Sequence, residues 1–442
     1  MPLLRNASGR PMVFPVAPEF SNWRSEQRAW REGCALLDQS HHMTDLFVQG
    51  PDSLRALARL AVNSFESFEV DRAKQFAAVN HDGFMIGDGI LFHLAPDSFD
   101  LVGHRMVVDW VQFNLESGEY DVVLERDDDS LVREGPPRLY RYELQGPTAG
   151  VIVERLIEGP LPEVGFFTMC TFAIDGLDVR ALRHGMAGRA GFELFGPWEE
   201  GSRLREAILA AGAGLGLVPA GARAYSTANL ESGWIPSPVP AIFTGDELKP
   251  YREWLPAARA GSLGGSFASA EISEYYVTPY DLGYGRLVAY DHDFIGREAL
   301  EKMIASGKHE RRKKVTFVWN GDDTAAAYGS MFHSGTGAKF INLPMSLYDT
   351  FHADRVEANG KVVGLSTWTG YSANERAILS LGTIDAKLAA PGTEVTLVWG
   401  EDKRSSKVQV EDHVQVKIRA KVMPAPLVEK ARTAYRSDAG LK

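Results

Sequence analysis

Residues 36–57, LLDQSHHMTDLFVQGPDSLRAL, hold the signal that decides the fold. Two adjacent histidines, His41 and His42, precede an alternating run, MTDLFVQG, which ends in a Gly50-Pro51 turn and opens a segment with helical apolar spacing, PDSLRALARLAV. Alternation predicts a strand, and proline suits the first turn of a helix because its missing N–H would be unpaired there anyway. The unit reads as strand, QGP turn, helix. Before it, SNWRSEQRAWREGCALLD places Trp23, Trp30, Cys34, Leu36 and Leu37 near helical spacing, so a helix is expected to reach the motif.

The same order returns in residues 138–159, RLYRYELQGPTAGVIVERLIEG. The echo is too short for a solenoid period and instead implies a second α/β module from about Arg138. Between the two, KQFAAVNHDGFMIGDGILFHL predicts a hairpin turning at Asp82-Gly83, and the acidic LERDDDSLVREGPP reads as a connection. From GGSFASA and GKHERRKKVTFVWNG onward the pattern shifts to short strand-like runs with Gly and Asn turns, predicting a β sandwich or barrel. The expected domains are 1–137, 138–310, with segments returning to the first, and 311–442.

A chain of 442 residues exceeds one ordinary core. With 45% apolar and 24% charged residues it should fold throughout. The balance of 47 basic against 58 acidic residues, a net charge of −11, disfavours a nucleic-acid surface, so any anion must be captured locally. Two distant cysteines, Cys34 and Cys170, speak against a disulfide framework or cysteine-rich metal site and fit a reducing cytoplasm. No window has the apolar length of a membrane span, and the proline- and arginine-bearing start does not read as a secretory signal.

Motifs for common chemistries fail in informative ways. There is no H-E-x-x-H, and adjacent His41 and His42 would point apart on a strand or loop, so no metal site is expected. AAGAGLGLVPAG resembles a dinucleotide fingerprint but follows a helix-like segment instead of a strand, the wrong order for a phosphate turn; a helix C-cap and loop is expected. Neither a G-x-S-x-G elbow nor a P-loop occurs. Two richer stretches remain: HGMAGRAGFELFGP sets Glu193 in an apolar strand, and YSTANLESGWIPSP gathers Tyr225, Glu231 and Trp234.

In order, these motifs resemble the folate-dependent aminomethyltransferase (glycine-cleavage T-protein) superfamily. LLDQSHHMTDLFVQGPDSLRAL resembles its D-x-SHM…V-x-GPDA opening, YELQGPTA its V-QGP element, GRAGFELFGP its folate strand and ANLESGW its RLEAG segment. TPYDLGYGRLVAYDHDFIGREAL and VGLSTWTGYSANERAILSLGTIDAKLAAPGTEV are similar to its later signatures. The resemblance implies an α+β ring of three domains, two mixed α/β and one C-terminal β-barrel or sandwich. Departures also appear: Gly87-Asp88 stands where glycine-cleavage enzymes carry a paired Asp-Asp, and Asn229 replaces the arginine of RLEAG. These departures speak against aminomethyl-lipoyl chemistry, and the insertion PSPVPAIFTGDELKPYREWLPA, with DQSHHM and RAYSTANLESGWIP, is most similar to the tetrahydrofolate-dependent O-demethylases of methoxy aromatic acids, the vanillate/3-O-methylgallate and syringate enzymes.

That resemblance implies transfer of an aryl methoxy methyl to N5 of tetrahydrofolate. In-line displacement demands positioning of two bound molecules, and the departing phenolate needs a proton. Tyr225 is the candidate acid, its ordinary pKa of about 10 being matched to a phenol. Glu193, Gln145 and Trp234 are the candidate folate residues. His42, His104 and Arg105 are the cations available for the substrate carboxylate, and Gln39 could bond a phenolic oxygen. A strand shows alternate residues to one side, which leaves open whether His104 or Arg105 faces the pocket. Other activities of the superfamily are demethylation of non-aromatic donors such as dimethylsulfoniopropionate, glycine-cleavage aminomethyl transfer, and folate-binding iron–sulfur assembly. The assembly factors carry a cysteine motif that HGMAGRAGFE lacks.

Overall fold

The computed structural model describes residues 1–7, 14–403, 405–433 and 436. Its first long helix, Trp23–Glu32, is opened by Asn22, whose side chain accepts from the Ser25 N–H, and stops at Gly33. The apolar run that follows does not continue the helix, as its spacing suggested; it is strand β1 (Cys34–Asp38). A short run buried on both faces satisfies either period, and a place in mid-sheet decides for the strand.

A first sheet contains β2 (Thr44–Gln49), β3 (Ala73–Val79), β4 (Met85–Ala95), β5 (Ser98–Gly103) and β6 (Val123–Asp127), antiparallel in the order β3-β4-β5-β2-β6. The β3–β4 hairpin turns where expected: Gly83 lies at φ +79°, and the Asn80 side chain accepts from the Asp82 and Phe84 N–H groups. Strand β6 takes up the start of the acidic run that read as a connection. The helix after the first QGP spans Ser53–Leu60, with Pro51 left in the preceding turn.

The second sheet joins β1 to β7 (Leu139–Gln145), β8 (Met169–Ile174), β9 (Leu177–Arg183), β10 (Gly191–Pro197) and β11 (Leu217–Ala220), in the order β11-β1-β7-β10-β9-β8. Strand β1 is parallel to β11 and antiparallel to β7. From it, residues 39–43 cross into β2 of the other sheet, so the two histidines sit at the crossover. The internal echo is structural as well: β7 leads through Gly146 into the helix Ala149–Leu156 as β2 leads through Gly50 into its own. Gly50 (φ +137°) and Gly146 (φ +140°) share one conformation, and a Cβ at either would strike a backbone carbonyl. The glycine-rich AAGAGLGLVPAG closes the helix Gly201–Ala211 and leads into β11, as its order along the chain predicted.

Strands β12 (Leu263–Gly264) and β14 (Phe351–His352) form a small pair. The remaining strands, β13 (Arg312–Trp319), β15 (Asp354–Ala358), β16 (Lys361–Ser372), β17 (Ala377–Asp385), β18 (Glu394–Trp399) and β19 (Val416–Pro424), close a barrel in the order β13-β17-β16-β15-β18-β19. Of the two expected β architectures the chain adopts the barrel. Among the described residues, no helix is long and apolar enough to cross a membrane.

Each α/β sheet buries one face against its helices. Their other faces meet, with Ala73, Phe92 and Val102 packed on Met169, Leu182 and Phe195. At this seam lies Arg141 of β7, 3% exposed, donating to Asp45 (2.6 Å) and Asp100 (2.6 Å) of the first sheet and to Glu193 (2.9 Å) of the second. Arg141→Met should leave these carboxylates without their cation and lower stability by about 3–5 kcal/mol, read by urea unfolding. A change of under about 0.5 kcal/mol, the scale of an ordinary surface substitution, would mean that water compensates the carboxylates.

Candidate active site

One face of β7 presents Arg141, Glu143 and Gln145, every second residue, and β10 sets Glu193 directly across from Glu143. The crossover from β1 brings Gln39 and His42 over this face. Tyr225, the last residue of the short helix Ala222–Tyr225, completes the group: its hydroxyl lies 2.6 Å from His42 Nε2, and their rings meet edge to face at 4.7 Å. The same hydroxyl reaches Met186 Sδ at 3.1 Å, and Gln39 Nε2 approaches that sulfur at 2.9 Å.

Glu143 is the hub of the polar contacts. It accepts from Gln39 Nε2, from Gln145 Nε2 and, at 2.7 Å, from the Met186 N–H. Burial pushes its carboxyl up to about 8, with the donor N–H of Met186 opposing the rise and Glu193 adding to it. Gln145 is occupied at both ends, since its Oε1 accepts from the Ala187 N–H. Glu193 gives Oε1 to Arg141, and its Oε2 takes no hydrogen bond among the described residues. Burial raises its carboxyl too, against the pull of Arg141.

Trp234 lies in a neighbouring cluster. Its indole N–H donates to Asp88 Oδ2 at 2.9 Å, which also accepts from Gln75 (2.6 Å) and the Tyr284 hydroxyl (3.0 Å). Asp88 is buried, and burial raises its carboxyl. Its neighbour Gly87 has no side chain, so one carboxylate stands where the Asp-Asp pair would be. A cavity of about 10 Å³ between Asp88, His104 and residues 236–238 links this cluster to the start of the helix Arg105–Ser117. His104 caps that helix, its Nδ1 3.4 Å from the Met106 N–H. A larger cavity of about 440 Å³ opens on the barrel among Ser330, Phe340, Tyr348 and Glu411, away from these residues.

The structure changes the expected charges. Desolvation pushes both His42 and His104 down to about 4, so near neutral pH both rings are uncharged. They can serve as hydrogen-bonding groups, whereas the sequence had offered them as cations. Arg105, half-buried, makes no hydrogen bond or ion pair among the described residues. His41 turns away: its Nδ1 meets Ser130 Oγ at 2.9 Å and its ring packs on Trp198. His42 Nδ1 is buried with no hydrogen-bond partner among the described residues. Among the described residues, one trio with metal-ligand chemistry, Asp349, His352 and Glu401, lies in the barrel region, where Lys407 already pairs with Asp349 and Lys339 with Glu401.

Gln39, His42, Gln145, Glu193 and Tyr225 thus gather around Glu143 and Met186, with Trp234 and His104 bordering a second cluster. Sequence reading missed Glu143, Met186 and Arg141. The run R-Y-E-L-Q carried a signal for two of them: three polar residues at alternate positions of a predicted strand all face one way.

Comparison with known proteins agrees with this architecture. Residues 6–237 match the GCVT N-terminal domain, and the chain belongs to that family. It is 44% identical to a syringate O-demethylase of Sphingobium sp. strain SYK-6 across 98% of this chain and 94% of the relative. It is also 29% identical to a sesamin methylene transferase of Sinomonas sp. strain No.22, covering 87% and 86% of the two chains. The crystal structure of the glycine cleavage system aminomethyltransferase T from Bartonella henselae matches with a TM-score of 0.61 at 18% identity over 97% and 98%, which establishes the three-domain fold.

The charge assignment is open to direct measurement. In a pH titration followed by NMR, the His42 and His104 rings should stay neutral down to near pH 4, where burial places their protonation. A midpoint at the unperturbed value of about 6.5 for either ring would place it in open water instead.

Proposed function

We propose that the protein is a tetrahydrofolate-dependent O-demethylase, moving the methyl of a methoxy aromatic acid of the vanillate, 3-O-methylgallate or syringate type to N5 of tetrahydrofolate. The products are 5-methyltetrahydrofolate and a phenol. The observation that carries this reading is the 2.6 Å contact between Tyr225 and His42 at the crossover between the sheets. Near-full-length similarity to a syringate O-demethylase supports it.

Donor chemistry suits a folate. A pterin edge offers an amide N–H and an exocyclic amine, and the unbonded Oε2 of Glu193 is a buried acceptor of the right kind. Trp234, tied to Asp88 by its N–H, leaves its ring faces for a flat partner. Gln145, held at both ends, would contribute a fixed amide to the same wall. Tetrahydrofolate supplies the accepting nitrogen.

In the reaction the methyl carbon–oxygen bond breaks and a carbon–nitrogen bond forms, so the phenolic oxygen gains a proton and N5 loses one. Burial, reinforced by Glu143 and Glu193, raises Tyr225 well above its ordinary pKa, so the hydroxyl keeps its proton until a basic oxygen arrives. For Tyr225 to give that proton up, its oxygen must be steadied, and neutral His42 can do so by donating from Nε2. Met186 sulfur, a weak acceptor, occupies the point on which Gln39 and Tyr225 converge, which is where a substrate oxygen would draw both donors. Arg105 is the charged partner for the carboxylate.

With tetrahydrofolate and vanillate, syringate or 3-O-methylgallate, mass spectrometry should detect methylated folate and the matching phenol. Failure with every methoxy aromatic acid sinks the proposal, and turnover of dimethylsulfoniopropionate instead would establish the non-aromatic donor. Tyr225→Phe should lower kcat by about 10²–10⁴ while folate affinity stays within about threefold, the mark of a lost general acid. Arg105→Gln should act mainly on KM for the acid, by roughly tenfold for a lost charged hydrogen bond of about 1.5 kcal/mol.

A further inference from the structure

The inference that follows rests on the reading above and concerns the basic run Arg311-Arg312-Lys313-Lys314, which no step so far has used. Arg311 and Lys313 are exposed, as such a run usually is, but Lys314 of β13 turns inward and is half-buried. Its Nζ lies 5.6 Å from the centre of the Tyr284 ring. The Tyr284 hydroxyl meets Asp88 Oδ2, the same atom that holds the indole N–H of Trp234. The first sheet, through Asp88 of β4, the segment carrying Trp234 and the barrel thus converge on one node, and Lys314 is the barrel's contribution.

The Lys314 ammonium makes no hydrogen bond or ion pair among the described residues. Asp88 faces it, but Oδ2 of that carboxyl group is already spent on Gln75, Trp234 and Tyr284, and Arg436 faces it with like charge. Burial pushes the ammonium down to about 8 against the pull of Asp88, so near neutral pH it still carries its proton. A desolvated cation with no anion at bonding distance is costly, and a ligand can supply that anion. Trp234 is the flat face assigned to the folate, whose pterin edge goes to Glu193. Beyond the pterin that molecule continues through an aminobenzoyl ring to a glutamate, and the glutamate carboxylates are its charged groups. We propose that Lys314 binds a tail carboxylate of tetrahydrofolate, so that the barrel selects folates carrying a charged tail while the α/β domains read the pterin. In a protein with a net charge of −11, an anionic cosubstrate needs such a local cation.

The test compares dissociation constants, by calorimetry, of tetrahydrofolate and its tail diamide, an analogue of nearly the same shape in which the carboxylates are carboxamides, for the wild type and Lys314→Met. The wild type should prefer tetrahydrofolate by about tenfold or more, as expected of a charged hydrogen bond. In K314M the preference should fall below about threefold, with affinity for the diamide unchanged, because only the charged partner is lost. A lysine that serves only to support Asp88 or to fill space would affect both ligands alike, so an unchanged ratio overturns the proposal. A wild type that binds both forms equally, or neither, overturns it too. Should K314M fail to fold, Lys314→Gln removes the same charge and must collapse the same ratio; preserved preference there is equally fatal. Methyl transfer by a wild type that does not discriminate between the two forms would sink the role of Lys314 and leave the demethylase reading standing. A Lys314-dependent preference without methyl transfer would do the reverse.

Discussion

The buried guanidinium of Arg141 ties the two α/β sheets together, and the site exists in the seam it holds. Its planar fork reaches three carboxylates from two sheets, which a lysine point charge could not satisfy with the same geometry. Three ionised acids around one cation would leave a buried negative excess. Burial and the neighbouring Asp45 raise the Asp100 carboxyl well above the ordinary range, which eases that excess. Hydrogen-bonded in this way, the cluster sets β7 at a fixed height over β2 and β5, and with it Glu143 and Gln145.

Around that seam the chemistry is largely uncharged. Desolvation silences the His42 and His104 imidazoles as cations and keeps the Tyr225 phenol protonated. Such a site is suited to two neutral reacting centres, an ether and an amine, whose charge separates only as the methyl moves. Arg105, the proposed partner of the substrate carboxylate, stands at the start of the helix Arg105–Ser117.

Most of the frame was legible along the chain. The QGP turns, the Asp82-Gly83 hairpin and the change to strand periods toward the end each depend on local rules, and each appears where those rules put it. Strand β1 was misread as helix because Cys34, Leu36 and Leu37 are buried on both faces, which removes the alternation that marks a strand. The site was legible as residue types and not as states. Nothing in the letters His-His says which ring is desolvated, and nothing in YELQ says that the glutamate faces two amides from different segments. Those properties arise only when distant strands meet.

How β1 is paired bears on the order in which the molecule assembles. All five strands of the first sheet are complete once residue 127 has left the ribosome, but Cys34 pairs with Leu217 and Leu36 with Leu144. Pairings so far apart in sequence pay their loop-closure entropy late, and they slow folding. Until β7 and β11 are made, β1 waits as an apolar segment with both edges bare, the kind of strand that recruits another chain. The crossover at residues 39–43 joins the early sheet to the late one, so Gln39 meets Glu143 only once β7 has paired with β1, and that contact can serve as a clock for the joining of the two sheets.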